Sequence, residues 1–304
     1  AVLCLEVLGD RCAQRALRLL QLSKLFMLSN FNEYGAWFSQ SRWRSDLSHL
    51  SNALLGLMPR VRNGSNGSTA HVQDPGDFRD PSLRIGLVTY CNYNNSATRL
   101  TSMSRTSKQA YADQHGYRLL HFEEPFVPQA HPWMNKLIAI QRSLADFDWL
   151  FWVDCDLFFM SASRTVDSLI QAALQEATDA SLIIAEDGMM LNSGALLLRN
   201  SEWSADFLAR TADLLAAPMP DSFQHMPWHE QAPLMYLSLL PWVLEGFEEV
   251  AKLGPTSRGA SLTSGYDPHV VLLQQRALNA YPAEVVEKTR RALPHEGYED
   301  GDLL

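Results

Sequence analysis

Residues 148–160 read DWLFWVDCDLFFM, an aromatic and aliphatic run that Asp154 and Asp156 interrupt near its end. Carboxylates in so apolar a stretch are costly to desolvate unless a cation pairs with them. In an extended strand, residues i and i+2 point to the same face, so both acids are expected to look the same way at the carboxyl end of a buried strand. Open α/β sheets bind their ligands at that end. The pattern therefore predicts a divalent cation held by Asp154 and Asp156, the cation in turn holding a phosphorylated ligand. Asp-x-Asp alone does not carry the reading, because it occurs three times in the chain. Asp146 and Asp148 fall between a helical segment and the strand, and Asp300 and Asp302 fall in the polar, glycine-flanked GYEDGDLL. Both of those places read as solvated loops.

Working outward, RIGLVTYC at 84–91 is a β-branched apolar run that fits a first buried strand. A helix is expected over 98–114, stopped before His115 and Gly116, after which YRLLHFEE resumes an extended pattern. From Trp133 to Ala145, apolar residues at 134, 137, 138, 144 and 145 mark one helix face, leaving Asn135, Lys136 and Arg142 on the polar side. SLIIAE at 181–186 and GALLLR at 194–199 read as two more strands, followed by EWSADFLARTADLLAA as a helix. This alternation predicts an α/β fold with a mostly parallel sheet flanked by helices. Residues 1–60 show leucine-rich helical periodicity and read as a helical stem or extension, 61–82 as a linker rich in Gly, Ser, Asn, Asp and Pro, and 83–304 as the domain proper.

A chain of 304 residues has ample apolar content for a core, and its net charge of -9 argues against a general nucleic-acid binder. Arg99, Arg105, Lys108 and Lys136 are candidates for a local basic cluster around the acids. The four cysteines, Cys4, Cys12, Cys91 and Cys155, show neither zinc spacing nor the density of a disulfide scaffold. Asn-x-Ser sequons at Asn63, Asn66 and Asn94 point to a luminal location. No run of eighteen apolar residues is present and the chain begins at Ala1. A membrane anchor is therefore expected upstream of it.

The segments RIGLVTY, QHGYRLLHF with the helix before it, PWMNKLIAIQRSL, DWLFWVDCDLFF, MLNSGALLLRNSEWSADFL, HEQAPLMYL and QQRALNAYP occur in this order. Together they resemble the α-galactosyl, α-mannosyl and α-xylosyl transferases of glycosyltransferase family 34. The resemblance covers about residues 84–304. It implies a Rossmann-like, nucleotide-diphospho-sugar transferase fold of GT-A type, Mn2+ dependence, retention of anomeric configuration, and a Golgi-lumen, type II membrane setting. It also implies a UDP-sugar or GDP-sugar donor and a glycan or glycoprotein acceptor, with galactose the expected unit. Position by position, Asp154 and Asp156 match the metal-binding pair, and Leu191-Asn192-Ser193-Gly194 a turn beside the donor sugar. Glu230 and Gln231 match the pair near the reacting carbon, and Thr89 and Tyr90 the nucleotide-contacting edge. Family members carry a further metal-binding His after a stretch like GYEDGDLL, where this chain stops at Leu304. Truncation is the favoured account of the departure; the others are completion of the shell by a residue such as His295 and an open shell with weak activity.

The resemblance also implies roles. The metal would stabilise charge gathering on the leaving diphosphate, with Lys136 adding charge nearby unless it is a solvated helix lysine. A departing phosphate oxygen can take the acceptor proton, Gln231 would face the cation-like sugar through its carbonyl oxygen, and Glu230 would be the nucleophile of a covalent alternative. Glu230-Gln231 also suits a helix N-terminal turn. Asp187, in IIAEDGMMLN, is a candidate for a sugar hydroxyl; Asn192 can hold hydroxyls and Gly194 permits close backbone approach. His225 and His229 are alternative metal donors, and Trp133, Trp203 and Trp228 could stack on sugar faces. Two competing readings stand beside the transferase. One is a non-catalytic nucleotide-sugar or glycan binder of the same fold. The other is a phosphotransferase, which would call for extra carboxylates or a Gly-rich loop that NYNNSATRL does not supply.

Overall fold

The computed structural model describes residues 78–93, 99–187, 190–216, 229–239, 266–282, 298 and 302–304, without the side chains of 186, 187, 190 and 274–276. The expected stem, most of the linker, the three sequons, His225, Trp228 and His295 lie outside these residues. The chain divides into two units: Ala1–His71, Ala217–Trp228 and Tyr236–Asp267 form one, and Val72–Ala216, His229–Met235 and Pro268–Leu304 the other. All of the candidate site belongs to the second.

Six strands build its sheet: β1 (Ile85–Tyr90), β2 (Arg118–Phe122), β3 (Trp149–Val153), β4 (Leu182–Asp187), β5 (Met190–Arg199) and β6 (Val270–Gln274). The described helices are α1 (Leu100–His115), α2 (Pro132–Ser143), α3 (Val166–Glu176), α4 (Glu202–Ala216), α5 (Gln231–Ser238) and the short α6 (Gln275–Leu278). The strand order is β2-β1-β3-β5-β4-β6. β1 runs parallel to β2 and β3, and β4 parallel to β6, while β5 is antiparallel to both of its neighbours. The mostly parallel α/β sheet is thus as expected, apart from the reversal at β5. Only residues 188 and 189 separate β4 from β5, too few for the crossover that a parallel pair needs.

β1 and β3 are buried along their whole lengths because both faces of the sheet are covered. Ile85, Leu87, Phe151, Val153, Ile183 and Leu197 share one core cluster with Tyr111 of α1 and with Val166, Leu169 and Ile170 of α3. The alternate residues Val88, Leu150, Leu182 and Leu196 are equally buried, and period 2 sends them to the opposite side. There α2 packs on β1 and against α4. Gly116 closes α1 in the left-handed conformation, φ 68°, as the sequence predicts. The GYEDGDLL tail departs from its reading as a solvated loop: Asp302 is buried, and Leu303 and Leu304 join the core cluster, since two terminal leucines find apolar surface there. Asp146 and Asp148 do sit at the surface, paired with Arg118 and Arg84 respectively.

Two features of this frame give measurable consequences. A Cβ on Gly86 would lie 2.3 Å from the buried ring of Phe147. Gly86→Ala is therefore expected to cost about 1–3 kcal/mol by overpacking, read as a lower urea midpoint at unchanged slope. His121, opposite Thr89 on β2, has a side chain only 2 % exposed; neither ring nitrogen has a hydrogen-bond partner among the described residues, and Nδ1 lies 3.4 Å from the Glu123 carboxylate, which only partly opposes the effect of burial. Burial pushes its pKa down from 6.5 to about 4, the neighbouring Arg105 adding to the effect. The unfolded ring takes a proton as pH falls below 6.5 while the folded ring resists until about 4, so the stability it confers is complete above 6.5 and is lost between those values. Thermal unfolding should show Tm falling over that interval, with this component absent from His121→Leu.

Candidate active site

The centre of the site is a lysine that the sequence pattern assigns to the wrong face of its helix. Lys136 of α2 is 4 % exposed, and its Nζ donates to the carboxylates of Asp154 (3.1 Å) and Glu230 (2.9 Å). It also donates to the backbone oxygen of Ser193 at 2.7 Å and lies 3.2 Å from that residue's hydroxyl. Burial alone would lower the ammonium pKa, but the two carboxylates outweigh it and hold Lys136 above its ordinary value. Burial likewise raises Asp154, against the pull of Lys136 and Trp152, whereas Lys136 overcomes burial at Glu230 and holds that carboxyl below its usual value. Asn135, expected beside it on a solvated face, is also buried, where its amide bonds the backbone of Val127 and Ala130. Of the three polar residues only Arg142 stays exposed.

Asp154 and Asp156 do not extend β3, which ends at Val153. Asp154 opens a turn, its backbone oxygen accepting from the Leu157 amide at 3.2 Å, so strand alternation does not set the relation between the two acids. The i, i+2 partner of Asp154 is instead Trp152, whose Nε1 donates to Oδ1 at 2.6 Å. With Oδ1 bound by Trp152 and Lys136, the Asp154 side chain keeps 36 % of its surface, and Asp156 is exposed. Among the described residues no third His, Cys, Asp or Glu completes a metal cluster with them. Two hard carboxylate donors would suit a hard divalent cation such as Mn2+ or Mg2+.

Opposite the turn, the strand is irregular where sequence reading placed a turn. Ile184 pairs with Leu196 but the next residue, Ala185, pairs with Asn192, so Ser193, Gly194 and Ala195 of β5 are looped out of the β4 ladder. The bulge turns the Gly194 oxygen to the Asp154 amide (2.8 Å) and the Ser193 oxygen to Lys136. Asn192 Oδ1 accepts from the Gly194 amide (2.8 Å) and from Asn279 Nδ2 (2.9 Å), and Asn192 Nδ2 donates to the Tyr281 hydroxyl at 3.1 Å. A Cβ on Gly194 would meet Asn192 Oδ1 at 2.9 Å, Asn279 Nδ2 at 3.0 Å and Asp154 Oδ2 at 3.5 Å, so the expected close approach is real.

Several assigned roles need correction. Glu230 is not a free carboxylate: besides Lys136, it accepts from the Ser193 hydroxyl at 3.1 Å. It precedes α5 as the helix-turn reading expected, but its side chain reaches into the site. Gln231 Oε1 accepts from the Ser193 amide at 2.9 Å, so this oxygen is already engaged by the bulge. Thr89, expected on the nucleotide edge, is fully buried and Tyr90 nearly so. Tyr93, just beyond β1, is 51 % exposed, and partial burial together with the nearby Asp156 and Asp154 raises its phenol pKa. Asp187 ends β4, and its side chain lies outside the described set.

Of the four basic candidates, Lys108 and Lys136 are buried, Arg105 pairs with Glu123 at 2.5 Å and Arg99 is exposed, so among the described residues they form no surface basic cluster. His229 stacks with Trp133 and His131 rather than joining the acids, and Trp203 stacks on Phe207 and His269. Sequence reading missed Trp152, Tyr93, Asn279 and Tyr281. Period 2 could have found Trp152, and QQRALNAYP contains the last two.

The α/β sheet thus carries an Asp-x-Asp turn at its carboxyl edge, facing a bulged Asn-Ser-Gly. The profile of the galactosyl transferase GMA12/MNN10 family, glycosyltransferase family 34, matches residues 83–177 and 171–304, and the chain belongs to that family. The probable alpha-1,6-mannosyltransferase MNN10 of Saccharomyces cerevisiae is 23 % identical over 192 residues, 51 % of this chain and 48 % of that protein. The probable glycosyltransferase 6 of Oryza sativa subsp. japonica is 26 % identical over 134 residues, 40 % of this chain and 26 % of that protein. The matches thus span half or less of these relatives' lengths. A crystal structure of a glycosyltransferase involved in the glycosylation of the major capsid of PBCV-1 is similar at TM-score 0.47 and 14 % identity, covering 69 % of this chain and 92 % of that one.

Proposed function

We propose that this chain is a metal-dependent, retaining glycosyltransferase that moves a hexosyl or pentosyl unit, galactose first among them, from a UDP- or GDP-sugar to a glycan or glycoprotein acceptor. The observation that carries the reading is the convergence of Lys136, Asp154, Glu230 and the Ser193–Gly194 bulge at the carboxyl edge of the sheet. Asp154, through Oδ2, and Asp156 would hold Mn2+, which when bound neutralises charge on a departing diphosphate. Lys136 and Trp152 fix Oδ1 of Asp154, so the carboxylate is oriented before any ligand arrives. Tyr93 offers an exposed ring to the nucleotide, and the Asn192 region the amides for sugar hydroxyls. With Glu230 held by Lys136, a covalent route through it is disfavoured, and same-face attack with proton transfer to the leaving phosphate is the better supported course.

Two features support a Golgi-luminal setting: the sequons at Asn63, Asn66 and Asn94, and a disulfide between Cys91 and Cys155. Among the described residues, no helix is long and apolar enough to cross a membrane. Mannosyl transfer is the second reading, favoured by the name of the yeast relative. Incubation with UDP-galactose, UDP-xylose and GDP-mannose, Mn2+ and a mixed glycan acceptor pool should release nucleoside diphosphate from one donor and give an α-linked product by NMR. Binding without release would support the non-catalytic alternative; a β-linked product would contradict retention.

A further inference from the structure

The Asp154–Asp156 turn and the coil after it have no strand or helix of their own until α3, so something else must fix their shape. Helix α1 grips this segment repeatedly. Lys108, 1 % exposed, donates from Nζ to the backbone oxygens of Leu157 (2.8 Å) and Cys155 (3.4 Å) and to the Ser104 hydroxyl (2.6 Å). The Ser107 hydroxyl accepts from the Phe159 amide at 3.1 Å, and the Tyr111 ring stacks on Phe159 at 3.7 Å. Among the described residues Lys108 forms no ion pair, so a full cation is spent on the carbonyls of one turn. A buried ammonium without a carboxylate is costly, and charge-assisted bonds are the stronger kind. On the other side of the turn, Cys155, which stands between the two acids, is joined by a disulfide to Cys91, the residue that follows β1, with Cα atoms 5.0 Å apart. The sheet neighbour of β3 is thereby tied to the middle residue of the Asp-x-Asp turn.

We propose that Lys108 and the Cys91–Cys155 disulfide are positioning elements of the donor site, holding the Asp154–Asp156 turn from two sides in its cation-binding shape. The inference rests on the transferase reading and deepens it. Neither element touches donor or metal; both act through the backbone of residues 155–157. Loss of either lets the turn sample other shapes, and the cost falls on cation affinity before it falls on the fold.

The test uses Lys108→Met, Lys108→Arg and the Cys91→Ser/Cys155→Ser pair. Non-reducing peptide mapping checks the link. Calorimetry with UDP-galactose and with GDP-mannose gives the Mn2+ concentration for half-maximal donor binding. Thermal unfolding checks the fold. The expected result is a mapped Cys91–Cys155 peptide, a Mn2+ midpoint raised about tenfold in Lys108→Met and in the serine pair, and partial recovery in Lys108→Arg, with donor binding restored at high Mn2+. If Lys108→Met does not fold, the serine pair decides. An unchanged Mn2+ midpoint in folded variants, or two unlinked thiols, would overturn the inference. Absence of donor binding by the unaltered protein would overturn the transferase reading and the positioning role with it, while the peptide map still reports the link.

Discussion

Lys136→Met is expected to abolish donor binding and to lower folding stability by about 3–5 kcal/mol, because it removes one partner of a buried ionic cluster and leaves the others charged. Asp154 and Glu230 both face Lys136 Nζ within 3.1 Å, and its loss leaves two carboxylates sharing a low-dielectric space with no compensating cation. One of them would then take up a proton, and the Ser193 oxygen would lose its donor as well. Glu230→Gln is the informative control. It keeps the shape and a hydrogen-bond acceptor for Lys136 while leaving one carboxylate to match one ammonium, so its stability cost should be clearly smaller. Urea unfolding of the two variants side by side measures the difference.

Asp156→Ala is expected to lose donor binding without losing stability, which should stay within about 0.5 kcal/mol of the unaltered chain while metal-dependent donor affinity falls about 100-fold or more. The asymmetry follows from position. Asp156 is exposed, and no described hydrogen bond or ion pair holds it. Its carboxylate is free for a ligand, whereas that of Asp154 is already half committed to Trp152 and Lys136.

Much of the fold was legible because it depends on local pattern. The β1 and β3 runs are buried on both faces and read as continuous apolar strands, and Gly116 stops α1 where the pattern placed it. The reversal of β5 follows from the shortness of its connection to β4, which the apolar runs at 181–186 and 194–199 do not reveal. The site was legible in its residue types but not in its contacts. Asp154, Lys136, Ser193, Gly194, Glu230 and Gln231 come together in the structure, and their contacts depend on partners distant in sequence. Helical periodicity places a lysine outside by default; only two carboxylates, brought by β3 and by the start of α5, make its burial affordable. The bulge at Ser193–Ala195 left no mark on the sequence beyond its glycine, and Cys91 and Cys155 lie too far apart in the chain for their pairing to be read from spacing.

The central claim is that the Asp154–Asp156 turn holds a divalent cation which in turn holds a sugar nucleotide. Calorimetric titration of UDP-galactose, UDP-xylose and GDP-mannose, each with and without Mn2+, into the unaltered chain and into Asp156→Ala tests it most directly. One donor should bind only when Mn2+ is present, and that binding should disappear in Asp156→Ala while the thermal unfolding of the variant stays normal. Donor affinity that is the same with and without Mn2+, or the same in Asp156→Ala, would contradict the claim.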